Sequence, residues 1–150
     1  MLKKYNKTFD FDLFFCTMKN MNQEFETIIE QIQEKDPRYR EESYIFVMEA
    51  LSYTQRRFKT LRHVTGFQML QGIKELLLKK FGPMTLTVLE HWGIKSTEDF
   101  GNIVFNLVEN KVLTKADHDA IETFRDAYDF EEVFKFAYRK QLAKKISRMR

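Results

Sequence analysis

Residues 65–108 read TGFQMLQGIKELLLKKFGPMTLTVLEHWGIKSTEDFGNIVFNLV and hold all five glycines, one of the two prolines and the only tryptophan. The punctuation of this stretch predicts three consecutive helices. Thr65-Gly66-Phe67-Gln68 is a T-x-x-Q capping box, which starts a helix after Thr65. Met69, Leu70, Ile73, Leu76, Leu77 and Phe81 then recur at helical spacing and form one wide apolar face. Gly82-Pro83 stops that helix, and Pro83 suits the first turn of the next, where no N–H is needed. Leu86, Leu89 and Trp92 line a short second helix, and Gly93 suits its left-handed C-terminal cap. Ser96-Thr97-Glu98-Asp99 caps a third helix and sets acids at its positive end. Phe100, Ile103, Val104, Leu107 and Val108 follow the i, i+3, i+4, i+7, i+8 pattern without interruption.

Upstream, Phe25, Ile28, Ile29 and Ile32 make a helical stripe that ends near Asp36-Pro37. A further helix is expected from about Glu42 to Phe58, with Tyr44, Val47, Met48 and Leu51 as its inner stripe. Phe46, Ala50 and Tyr53 widen that stripe, so this helix should be central and contacted on more than one side. Downstream, KVLTK (111–115) and IETFR (121–125) read either as two short strands or as part of a helix capped by Thr114. The context favours a β-hairpin over 111–125. Asp129-Phe130-Glu131-Glu132 starts a last helix that carries Phe130, Val133, Phe134, Ala137 and Tyr138 inward.

These elements predict a mainly α protein: a single-domain helical bundle over residues 21–134 with a winged-helix-like C-terminal half. The order of helix 84–92, turn, helix 97–110 and hairpin 111–125 carries that likeness, which is an analogy of fold and assigns no function. At 150 residues the chain is long enough for one real core, and its scarce Pro and Gly favour helices. Residues 1–20 (MLKKYNKTFDFDLFFCTMKN) are read as a poorly packed N-terminal extension. Asp10 and Asp12 interrupt its apolar run and no small-residue cleavage site follows, so neither export nor a membrane span is expected. The single cysteine, Cys16, excludes an intramolecular disulfide and a cysteine zinc cluster, which is compatible with the cytoplasm.

The overall charge of +3 hides an asymmetry. Residues 135–150 carry seven bases and no acid, and residues 1–20 add a net +2, which leaves residues 21–134 at −6. An acidic body is a poor nonspecific phosphate binder, whereas the basic C-terminal tail is a fair one.

His63-Val64-x-Gly66, Leu70-x-Gly72-Ile73, Phe81-Gly82-Pro83-Met84, Val88-Leu89-x-x-Trp92-Gly93, Thr97-x-Asp99-Phe100-Gly101, Ile103-Val104-Phe105 and Tyr128-Asp129-Phe130 form a set of short motifs. Together they resemble a small conserved bacterial family of hypothetical proteins. The resemblance covers roughly residues 21–134. That family brings no established activity, so it transfers no catalytic or binding residue. Residues 1–20 and the strongly basic segment after Phe134 depart from its pattern.

Catalytic and cofactor signatures are missing from the sequence. His63, His91 and His118 stand far apart, outside any HExxH or Cys/His spacing. Glu90 and His91 are helix neighbours that point apart, and Ser96 and Thr97 are better read as capping residues than as nucleophiles. Gly66, Gly72 and Gly82 match no nucleotide-binding loop. No catalytic, metal or cofactor residue is therefore assigned, and no cofactor is expected.

Two surfaces remain as candidates. The outer face of helix 97–110 offers Asn102, Phe105 and Asn106 to a protein partner; its Glu98, Asp99 and Glu109 make specific DNA reading a poor fit. The tail offers Arg139, Lys140, Lys144, Lys145, Arg148 and Arg150, interleaved with Leu142, Ile146 and Met149, to RNA or another anionic partner. The expectation is a non-catalytic protein-interaction module. The alternatives are an RNA- or ribosome-associated protein that binds through the tail, and an enzyme whose site is invisible in the sequence.

Overall fold

The computed structural model describes residues 11–60, 63–113 and 121–149, with residues 11–22 and 121 as backbone only. Helix α1 spans Phe11–Lys35. Its sequence contains no glycine or proline, so nothing stops the helix upstream of the Phe25 stripe. Residues 11–20 are therefore the backbone continuation of α1, while the packing expected of 1–20 lies outside the described residues. Ile29 and Ile32 are buried, and Pro37 ends the helix by excluding the α conformation from the residue before it.

Helix α2 (Glu41–Arg57) is the central element, packed against α1 and against the three helices that follow. Its closest neighbour is α3 (Gly66–Phe81). The predicted capping box opens α3: Thr65 Oγ1 accepts from Gln68 N at 3.1 Å, and Thr65 N donates to Gln68 Oε1 at 3.0 Å. Gly82–Met84 forms a 3-10 turn, then α4 covers Thr85–Trp92 and ends on Gly93 at φ 83°. A side chain at Gly93 would begin 2.3 Å from the Arg38 carbonyl oxygen, so glycine also admits the α1–α2 loop. Helix α5 (Thr97–Glu109) carries the second capping box, with Asp99 as its third residue.

The core is the one drawn by the periodicities. Phe100, Ile103 and Leu107 of α5 are buried together with Leu70, Ile73, Leu77, Leu89 and Trp92, and Val104 packs half-buried against them. Trp92 sits against Phe46 and Phe81, with ring centroids 5.3 and 5.6 Å away.

The hairpin expectation is corrected. Ile121–Phe124 is one turn of 3-10 helix, and residues 111–113 turn out of α5 with Lys111 at φ 61°. Residues 114–120, and with them the Thr114 cap, lie outside the described residues. Thr97 supplies the physical reason: its hydroxyl donates to the Phe124 carbonyl at 2.6 Å and accepts from Ala127 N at 3.1 Å. The Phe124 carbonyl is a backbone group that a strand over 121–125 would need. Phe124 is drawn into the core over Gly101, where a Cβ would lie 2.8 Å from its own. Among the described residues there is no strand, so the segment 121–125 does not form a wing.

The last helix starts as expected, with Asp129 Oδ1 accepting from Glu132 N at 2.9 Å. It then runs as a π-helix over Glu132–Ala137 before α6 takes over at Tyr138–Arg148. The wider i→i+5 winding keeps Phe130 and Phe134 on the core side and turns Ala137, expected inward, out to solvent.

Candidate functional site

Among the described residues, helix α6 buries none of its own, and its main neighbour is the π-helical segment that leads into it; Tyr138, at its start, is half-buried beside Gly82. Leu142, Ile146 and Met149 recur at i, i+4 and i+7 on one face, with 43%, 51% and 80% of their surface exposed. At 3.6 residues per turn, Arg139 and Lys145 border this stripe on either side. Lys140, Lys144 and Arg148 fill the opposite face, and all five bases are exposed. Among the described residues, none of them pairs with an acid. Arg150 lies outside the described residues. The arrangement is an apolar ridge framed by positive charge, held out from an acidic body.

The outer face of α5 is organised differently from its sequence reading. Asn102 Nδ2 donates to the Tyr39 hydroxyl at 3.0 Å. Asn106 Nδ2 donates to Asp36 Oδ2 at 3.0 Å and lies 3.1 Å from the Tyr44 hydroxyl. Both asparagines therefore tie α5 to the α1–α2 loop and to α2, which leaves Phe105, 44% exposed, as the free member of the trio. Asp99 completes the network. Its Oδ1 accepts from Tyr39 Oη at 2.5 Å and its Oδ2 from the N–H groups of Lys95 and Ser96. Asp36 accepts from Arg38 Nε and Nη2, each at 2.7 Å. These bonds from Arg38, helped by Asn106, hold the Asp36 carboxyl down at about 2. Burial, followed by the bond to Asp99, pushes the Tyr39 phenol well above its usual range. The network was not legible in the sequence; Pro37-x-Tyr39 next to a polar helix flank was its only trace.

An open cleft of about 370 Å³ lies beside this network, lined by Gln33, Tyr39, Arg40, His91 and Gly93 among others. Its polar groups are largely engaged by the fold. Gln33 Nε2 donates to the Tyr39 carbonyl at 3.1 Å, and Arg40 N donates to the Trp92 carbonyl at 3.2 Å. His63 and His91 are both exposed, and His118 lies outside the described residues. Among the described residues, no three His, Cys, Asp or Glu side chains are grouped to hold a metal. None of the described helices is long and apolar enough to cross a membrane.

No protein-family model, curated protein or solved structure matches the chain. The family resemblance accordingly rests on its motif residues, and function must be argued from the surface itself.

Proposed function

We propose that the chain is a non-catalytic interaction module: a helical body that presents α6 to a protein partner. The observation that carries this reading is the exposed ridge of Leu142, Ile146 and Met149, set between Arg139 and Lys145. An apolar stripe left in water has no stabilising role in the body, and it suits a surface that is covered on association. Phe105 is a second exposed apolar residue available to a partner. The test is affinity capture with the full chain, with and without nuclease. A partner retained after nuclease and lost when Leu142 and Ile146 are changed to Gln supports the module. A partner released by nuclease assigns the tail to RNA, for which the six bases from Arg139 to Arg150 are the contacts.

A further inference from the structure

Resting on that reading of α6, we infer that its partner surface is an apolar groove rimmed by carboxylates, entered by Leu142, Ile146 and Met149 as anchors. The spacing i, i+4, i+7 is that of a helix that seats one face in a groove. Leu142 and Ile146 lie within the eleven-residue helix and Met149 is its C-cap, still in the right-handed α region, so the three anchors span about 10 Å along one groove. Arg139 and Lys145 reach the two rims from the stripe's borders, so the charge complement is acidic on both sides.

Competing surfaces fit less well. RNA phosphates use the bases and leave the apolar ridge in water. An anionic bilayer suits a basic amphipathic helix, but this one leaves the body beside Asp126, Asp129, Glu131 and Glu132, all exposed. Their negative charge opposes an anionic surface on the side from which α6 leaves the body. A groove engages α6 alone. A second copy is disfavoured because two α6 helices repel each other, and the exposed Ile45, Phe67, Met84, Phe105 and Phe136 stand on five separate elements.

The experiment uses the full chain and three variants: Leu142→Gln with Ile146→Gln; Arg139→Gln with Lys145→Gln; and Lys140→Gln with Lys144→Gln on the far face. The groove probe is calcium-loaded calmodulin, whose Met-rich groove opens on calcium binding and accepts basic amphipathic helices. Titration calorimetry against it is run beside phosphatidylserine vesicles, single-stranded RNA and sedimentation of the protein alone. Expected is calmodulin binding that weakens at least about tenfold in the anchor variant and severalfold in the border variant, with little change in the far-face variant. Calmodulin binding that survives the anchor variant overturns the inference. Binding only to vesicles, RNA or a second copy overturns the groove but keeps α6 as the interaction element. No binding to any probe, with a monomer throughout, removes both.

Discussion

Thr54 Oγ1 of α2 occupies the place where a side chain on Gly72 of α3 would begin: a Cβ there would lie 1.7 Å from it. The threonine is itself fixed, because its hydroxyl donates to the Ala50 carbonyl at 2.6 Å. The two longest-contacting helices of the body therefore meet at a point with no space to relax. Gly72→Ala should destabilise the protein by about 1–3 kcal/mol through overpacking, despite alanine's better helix propensity. In a double-mutant cycle, Thr54→Ala should recover part of that loss. Denaturant titration gives both values, and a neutral or stabilising Gly72→Ala would show that the helices do not approach this closely.

Leu107 has no exposed surface and lies in the core with Phe100 and Ile103. Leu107→Ala should cost roughly 2–5 kcal/mol, the transfer term plus an uncollapsed cavity. A loss below about 0.5 kcal/mol in denaturant titration would mean that α5 is wrongly seated.

Asp36 gives the acid limb of stability a specific origin. Its carboxyl titrates at about 2 in the folded protein, below the ordinary 3.8, because Arg38 and Asn106 donate to the ionised form. A depressed folded pKa contributes stability that is fully present above the unfolded value and is lost as pH falls through the folded value. The window is thus from about pH 4 down to about pH 2. The shift corresponds to about 2 kcal/mol by linkage, and exposure of the Arg38 partner reduces this to about 1 kcal/mol. Asp36→Asn should flatten the stability profile in that window. An unchanged slope would assign the acid limb to other carboxylates.

What the sequence disclosed and what it hid follow from the range of each interaction. The Thr65 and Ser96 capping boxes and the Gly93 cap were legible because each is closed within a few residues. The core faces were legible because helical periodicity reports burial directly. The Thr97–Phe124 bond joins residues 27 apart, and no local pattern announces that a threonine will claim a carbonyl from a strand-like segment. Asn102 and Asn106 read as outward because they lie off the apolar stripe. Their partners, Tyr39 and Asp36, are supplied by a loop 63 and 70 residues earlier in the chain. The π-helix is not legible in the sequence because Phe130 and Phe134 are compatible with either winding; only the outward turn of Ala137 separates them. The ridge and charges of α6 were visible, but its separation from the body was not.

That separation makes the final prediction sharp. The α6 bases are exposed, and among the described residues none pairs with an acid, so replacing Arg139, Lys140, Lys144, Lys145, Arg148 and Arg150 by Gln should leave the melting temperature within about 2 °C. Any affinity for single-stranded RNA must then disappear, because residues 21–134 carry a net −6 and repel phosphate. Each phosphate contact releases condensed counterions, and at roughly −0.7 per contact six bases allow a slope of log K against log salt no steeper than about −4. Groove docking through the two border bases should show a far shallower dependence, since burial of the apolar ridge is insensitive to screening. Fluorescence anisotropy with RNA at two salt concentrations, for the wild type and the six-fold Gln variant, reads the RNA affinity and its salt slope. RNA binding that persists in the variant would place the site outside the six replaced bases, on the acidic body, Lys135 or residues 1–20, and contradict the assignment to α6. A steep slope that vanishes with the bases would give the tail to RNA and leave the apolar ridge unexplained.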